Sequence, residues 1–486
     1  MTARRSLVLS FAQKYSTLLI QLASIVVVSR TLAPQDIGVF VAAAAVAGFA
    51  QILVDCGVQP YLIQVDKLTL GAQRAAFGAA LATSWISAVA LISIVLSMPA
   101  GLLDASLRQP LVVFGLCLMV APFATVGLAV LQREMRFDKL YWIGVSGAAV
   151  SAVTAILLAW AGFGAMSLVW AAFAESVFTT VIVLTVHPIV RPSLTGLAPI
   201  FDFAWVWSAI NGSRQVADSL IRLSLGLVLG YGALGVLARA QTVVTLFDKA
   251  LIDAVSPVLL PTLSGRQRSG HQLKDLYLRK VTYLSAVAWP FFGVVALCAE
   301  PLVLVLLGPQ WHAAITPVRI LCAAGLFLPF SGLVLPFLVA LGITRRYLHA
   351  QLAIQASRTL LVLAAAFVSL EAACFALVID GPMKSVLAQK LLKPHLGYAW
   401  AELMRPLGAG VVATIASLAG AVGANFLPGL PVDPLLHLIC AGLMAISSWL
   451  VALYLVRHPL CKEIQEVPTH IIAAVRLIPK PSGGVR

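Results

Sequence analysis

The 486-residue sequence is 60% hydrophobic and only 11% charged, with a mean hydropathy of +0.98. Too few polar side chains are available to cover a globular surface in water, which excludes a soluble domain of this size. The 33 Lys and Arg outnumber the 19 Asp and Glu to give a net charge of +14, a balance that suits nucleic acid only if the cations are not already explained by membrane topology.

Apolar stretches of about 20 residues, enough to cross a bilayer, recur along the chain. They predict an all-α integral membrane protein of about 14 transmembrane helices, at 11–31, 37–58, 76–98, 110–131, 141–161, 165–186, 203–229, 233–259, 281–304, 317–342, 347–370, 371–391, 406–427 and 434–456. Arg4-Arg5 precedes the first span, but no small-x-small cleavage site comes before the turn at Ala33-Pro34, so the segment reads as a signal anchor. The cations then fall on alternate connections: Lys67 and Arg74; Arg133, Arg136 and Lys139; Arg191; Arg266 to Lys280; Arg345 and Arg346; Lys390, Lys393 and Arg405; and the tail from Arg457. The opposite side carries Arg30, Arg108 and Arg319. By the positive-inside rule both termini are cytoplasmic in a bacterial inner (plasma) membrane, with Gly162–Gly164 and the Pro309–His312 turn periplasmic and Arg266–His271 cytoplasmic. Topology accounts for the basic balance, and no nucleic acid partner is expected.

Trp142, Trp160, Trp311 and Trp400 fall at span ends, as an aromatic belt requires. The longest aqueous loop, about 261–280, is too short to fold as a domain, so the large outer loop expected of a membrane polymerase or glycosyltransferase is missing. The seven cysteines form no C-x-x-C pair and the eight histidines show no ligand spacing, which predicts neither disulfides nor a metal.

An offset of 197 lays Leu32, Gly38 and Val39 on Leu229, Gly235 and Val236, and one position further Leu53-Val54-Asp55 meets Leu251-Ile252-Asp253. Both matches lie six spans apart in the span plan. They predict two pseudo-symmetric six-helix lobes, 1–190 and 200–393, followed by two additional helices in 400–456 and a basic tail in 457–486, with the substrate site between the lobes near the midplane. The additional pair is expected to be accessory to transport.

Charges inside hydrocarbon cost roughly 2.5 to 3.5 kcal/mol each on insertion scales, so those retained face a partner, a cavity or a pathway. Arg214, Asp218 and Arg222 recur at i, i+4, i+8 with Asn211 and Gln215 beside them, and the next span carries Arg239, Asp248, Lys249 and Asp253. Two readings stand side by side: structural ion pairs that let polar helices pack, or a cationic chamber for an anionic headgroup. If Asp218 neutralises one neighbour and Asp253 pairs with Lys249, about two of Arg214, Arg222 and Arg239 remain free for an anion. Arg358 is a further candidate for the chamber wall. Glu175 is either a protonatable coupling site or a residue hydrogen-bonded to Ser and Thr of a neighbouring helix, the second being favoured, and Asp55 and Asp253 complete the coupling candidates.

The loop sequences also carry a resemblance. Ser29 to Gly38, Asp55-Cys56-Gly57 with Leu62-Ile63-Gln64, Leu131 to Phe137, Gly162-Phe163-Gly164, Asp218 to Ile221, Leu234 to Ala240 and Gly308-Pro309-Gln310-Trp311 together resemble the polysaccharide transporter family. These are the Wzx-type flippases of the multidrug/oligosaccharidyl-lipid/polysaccharide (MOP) superfamily, and the similarity spans about residues 5–345. The sequence departs from the family where Arg222 lacks a preceding glycine and where Leu237 stands in place of a tyrosine. The resemblance implies a MATE/MOP-like fold and translocation of an undecaprenyl-diphosphate-linked oligosaccharide to the periplasmic leaflet for O-antigen, exopolysaccharide or capsule. It implies no covalent chemistry and no cofactor, with the coupling ion, H+ or Na+, left open. The lipid-linked oligosaccharide, membrane lipids and a polymerase or export machinery are the implied partners. A MATE-like drug antiporter is the alternative, though it would present acids to cationic drugs; a membrane enzyme would need an acid and His constellation that is missing.

Overall fold

The computed structural model describes residues 3–54, 57–99, 101, 103–252, 273–341, 343–426 and 434–461, and the described residues are helical throughout, joined by turns. Asp55, Asp253 and 266–271 lie outside them. The order opens α1 Ala3–Thr31, α2 Pro34–Val54, α3 Val58–Gln64, α4 Leu70–Ser97, α5 Ala105–Val120, α6 Pro122–Arg133, α7 Phe137–Trp160, α8 Met166–Val186 and α9 Ala198–Val244. It continues with α10 Leu273–Leu297, α11 Ala299–Leu306, α12 Ile315–Cys322, α13 Leu328–Ser331, α14 Val334–Ala340, α15 Thr344–Ala366, α16 Leu370–Val378, α17 Asp380–Leu396, α18 Trp400–Met404, α19 Leu407–Gly423 and α20 Pro434–Leu455.

Among the described residues 10 helical stretches are long and apolar enough to cross a bilayer, or 11 when the α5–α6 pair, bent by 49° at Ala121-Pro122, counts as one span. The chain is therefore a multi-pass membrane protein. Length and apolarity do not reach the count of about 14, for local reasons. The expected span at 203–229 and the part of that at 233–259 up to Val244 form one run, α9, broken at Gly230, whose φ of 84° is a conformation that only glycine adopts without strain. The expected span at 347–370 is α15, which carries Arg346, Gln351, Gln355 and Arg358, and that at 371–391 is divided between the nine-residue α16 and the polar α17.

Two compact units are formed. The first comprises the described residues of Met1–Val258, Val303–Leu321 and Ile343–Lys384. Here α2 packs along α9 through small residues: a methyl group built at Gly38 would overlap the Tyr231 carbonyl, and one at Gly235 would overlap the Pro34 carbonyl. The offset of 197 relates Gly38 to Gly235 and Pro34 to Tyr231, so each contact is the image of the other, the reciprocity that a two-fold related pair produces. On the α3 side, Arg133 donates from Nη1 to Leu62 O at 2.8 Å and Val65 O at 2.5 Å, and from Nη2 to Asp66 O at 3.1 Å. The guanidinium thereby satisfies carbonyls that the end of α3 leaves open.

The second unit comprises the described residues of Leu259–Leu302, Cys322–Gly342 and Ser385–Arg486. Its α10 packs on α19, where Gly410 meets Ser285. Trp449 Nε1 of α20 donates to Ala286 O at 2.7 Å, and Ser417 Oγ to Ala445 O at 3.0 Å.

Candidate functional site

The polar residues expected within the spans of the first unit converge only in part. Asp218, well inside α9, accepts a hydrogen bond on Oδ1 from Arg358 Nη2 of α15 at 2.9 Å, while Arg214 Nε lies 3.9 Å from its Oδ2. One carboxylate thus serves two guanidinium groups. The two cations differ in burial: the Arg214 side chain is 81% exposed, whereas those of Arg358 and Asp218 are 17% and 28% exposed. Arg358 uses only part of its donor fork, because its Nε is buried without an acceptor among the described residues.

The wall behind Arg358 is polar. Tyr347, Gln351, Gln355 and Arg358 recur at i, i+4, i+8 and i+11, one face of α15. Gln351 Nε2 donates to Gln355 Oε1 at 3.4 Å, and Gln351 Oε1 and Gln355 Nε2 are buried without partners among the described residues. Tyr347 lies within electrostatic reach of Asp380 and Arg214. Asp380 pairs through Oδ2 with Lys384 Nζ at 2.5 Å, and its Oδ1 has no partner among the described residues. Buried polar atoms without partners mark a place that a ligand or water would complete.

The other expected residues are distributed elsewhere. Gln215 Nε2 donates to Ser219 Oγ at 3.4 Å, and both face Gly48, so Gln215 is used where α9 packs on α2. Asn211 lies on α9, but its side chain is outside the described set. Arg222 is exposed and has no ion pair among the described residues. Lys249 is exposed, and its expected partner Asp253 is not described. Arg239 is not gathered with Arg214: its residue is 8% exposed, its guanidinium carbon stands 5.9 Å from the Trp311 ring centroid, and its Nε has no acceptor among the described residues. Trp311 itself does not belong to the aromatic belt. It is 0% exposed and donates from Nε1 to Ser29 O at 2.7 Å, because Gly308, at φ 105°, turns the chain inward just before it. Trp142, Trp160 and Trp400 remain exposed, as a belt requires. Glu175 is half-buried beside Gly147, and its carboxylate takes no hydrogen bond from a neighbouring Ser or Thr among the described residues, contrary to the favoured expectation.

Sequence spacing showed the i, i+4 pair of Arg214 and Asp218 but not the nearer partner on α15, since an interhelical contact leaves no local pattern. The glutamines of α15 went unremarked although their periodicity with Arg358 was present. In the second unit Lys280, assigned by charge to an aqueous loop, is 8% exposed. Its Nζ lies 4.8 Å from the Tyr277 ring centroid and has no hydrogen-bond partner among the described residues. Tyr277 Oη accepts from Gln389 Nε2 at 2.8 Å, and Tyr398 donates to Gln389 Oε1. Among the described residues no group of three or more His, Cys, Asp and Glu is placed to hold a metal.

A multi-pass helical fold in which one carboxylate bridges two arginines between α9 and α15 suits a membrane transporter, and known proteins bear on the fold and family. The profile of the family described as "Polysaccharide biosynthesis protein" matches residues 27–316, more than half of the chain. The chain belongs to that polysaccharide biosynthesis family. It is similar to the succinoglycan biosynthesis transport protein ExoT of Rhizobium meliloti (strain 1021), at 26% identity over 352 residues, 70% of each chain. Among solved structures it resembles the lipid II flippase MurJ in an inward closed conformation, at a TM-score of 0.77 and 12% identity, covering 93% of this chain and 99% of that one. An inward-facing multidrug resistance MATE transporter of the MOP superfamily gives a TM-score of 0.60 and 14% identity over 78% and 94% of the two chains. At these identities the two solved structures bear on the fold alone.

Proposed function

We propose that this chain is a flippase that carries an undecaprenyl-diphosphate-linked oligosaccharide from the cytoplasmic to the periplasmic leaflet of a bacterial inner membrane, for export of a surface polysaccharide. The observation that carries the reading is the excess of guanidinium over carboxylate at Asp218. Arg358 holds a buried Nε without an acceptor and Arg214 is almost wholly open, while one carboxylate is shared between them. A diphosphate supplies the missing acceptors, and arginine's planar fork matches its oxygens in a way that an ammonium group cannot. The glutamine face of α15 suits the hydroxyls of a sugar. Family membership and the similarity to a succinoglycan transport protein support a lipid-linked glycan as the cargo. A MATE-like antiporter of cationic drugs is disfavoured by the same charge balance. In this reading no bond is made or broken, both termini are cytoplasmic, and an ion gradient supplies the energy.

The test is chemical. Deletion of the gene should make a lipid-linked glycan accumulate on the cytoplasmic face of the membrane, recoverable by mild acid release and identifiable by mass spectrometry. Unchanged lipid-linked glycan, with unchanged surface polysaccharide in a strain that has no second flippase, would refute the reading.

A further inference from the structure

Resting on the reading of Arg214 and Arg358 as diphosphate ligands, we propose that Asp218 is not a ligand but an internal competitor: its carboxylate occupies the arginines in the empty carrier and must be displaced by the incoming anion. Three observations lead there. Asp218 holds Arg358 at 2.9 Å through one oxygen and one nitrogen only, a single-point contact rather than a fork. The carboxylate side chain is 28% exposed, so the pair is reachable and not sealed. Its other oxygen has Arg214 at 3.9 Å, beyond hydrogen-bond length, on a side chain that is 81% exposed. The charged groups contacting Asp218 are Arg214 from its own helix and Arg358 from α15; α2 presents Gly48 to the neighbouring Gln215 and Ser219, and Asp380, paired with Lys384, shares Tyr347 as a neighbour with Arg214.

The consequence is selectivity. A ligand must offer these cations more than the single negative charge and single acceptor contact that the carboxylate already provides. A diphosphate, with its charge and oxygens spread over two phosphorus centres, can reach Arg214 and Arg358 together, whereas a phosphate monoester, though nearly dianionic, offers its oxygens on one centre, and a free carboxylate competes on equal terms and gains little. The same competition favours release, because Asp218 reclaims Arg358 as the anion leaves and no unpaired guanidinium is left buried.

Binding of two probes, undecaprenyl diphosphate and undecaprenyl phosphate, would be measured on the purified full-length protein by native mass spectrometry. The wild type should prefer the diphosphate. Asp218→Asn should bind both probes about ten- to a hundredfold more tightly, the range for one hydrogen bond to a charged group, with the preference narrowed and dissociation slowed. A gain in affinity separates this role from a structural one, since loosened packing weakens binding. Equal or weaker binding by a monodisperse Asp218→Asn protein would overturn the proposal. Should that variant not fold, carbodiimide labelling of Asp218 in the wild type, mapped by peptide mass, decides: undecaprenyl diphosphate should speed labelling by freeing the carboxylate, and protection or no change would overturn the idea. If the wild type binds neither probe, the diphosphate reading fails and this inference with it; if it binds and the Asp218 results go the other way, this inference alone fails.

Discussion

Arg133 illustrates how a loop residue read as part of a topological signal acquires a structural role. Its guanidinium reaches the carbonyls of Leu62, Val65 and Asp66, three acceptors that a lysine cannot serve in one plane. Arg133→Ala should lower stability by about 1–3 kcal/mol, the cost of leaving such acceptors unpaired, and Arg133→Lys should recover little of it in thermal unfolding followed by tryptophan fluorescence. His458 offers a pH test. It is 3% exposed, its Nδ1 accepts from Leu460 N at 3.1 Å, and its ring lies 6.1 Å from that of Tyr283. Burial holds the imidazole below its ordinary value of 6.5. As pH falls through 6.5 the unfolded chain takes up a proton that the folded one still refuses, so the stabilisation is present above that value and is lost on acidification. Melting temperature should drop between pH 7.5 and 5, and His458→Phe should flatten that drop; an equal drop in both proteins would contradict the assignment. At this scale identities and local spacing are what a sequence displays. It revealed Arg214 with Asp218 and missed Arg358, because a contact between α9 and α15 crosses 140 residues.

At the scale of elements, the hydropathy pattern located the long apolar helices well and the polar ones poorly. Helices such as α7 and α8 are apolar over most of their length, with Asp138 and Lys139 at the start of α7 and Glu175 the one charge in α8, so length and composition suffice. The α15–α17 region carries charged and amide side chains that meet other protein rather than lipid, and a composition window cannot know what a residue will face. The close packing of α2 on α9 has its sequence signal in glycine, since only a residue without Cβ lets the two helices approach at Gly38 and Gly235. Replacing either by valine should force the helices apart and cost about 1–3 kcal/mol or more of stability, as overpacking does. The effect should be similar at both positions because the contacts are reciprocal. Gly442→Ala on α20, where an added methyl meets nothing within 4 Å, should be neutral or stabilising by up to about 1 kcal/mol. A tolerated Gly38→Val, with unchanged melting temperature, would contradict the close packing.

For the molecule as a whole, the proposed function rests on two features, the charge asymmetry between the two sides expected from the sequence and the polar cluster at Asp218. The topology is checked by single cysteines in a cysteine-free background. Position 135, in the Arg133 to Asp138 loop, should resist an impermeant reagent added to intact spheroplasts, and position 163, between Gly162 and Gly164, should react with it; the reverse pattern would invert the orientation. The central claim is that the protein moves a diphosphate-linked glycan across a bilayer by means of the Arg214 and Arg358 cations. It is tested most directly by reconstituting the purified protein into vesicles that contain undecaprenyl-diphosphate-linked oligosaccharide and following the glycan pool open to an impermeant glycosidase outside. The wild type should expose the inner-leaflet pool as well as the outer one, and the Arg214→Ala, Arg358→Ala double variant, reconstituted to the same level, should expose only the outer pool. Exposure of the inner pool by the double variant at the wild-type rate, or none beyond protein-free vesicles by the wild type, would contradict it.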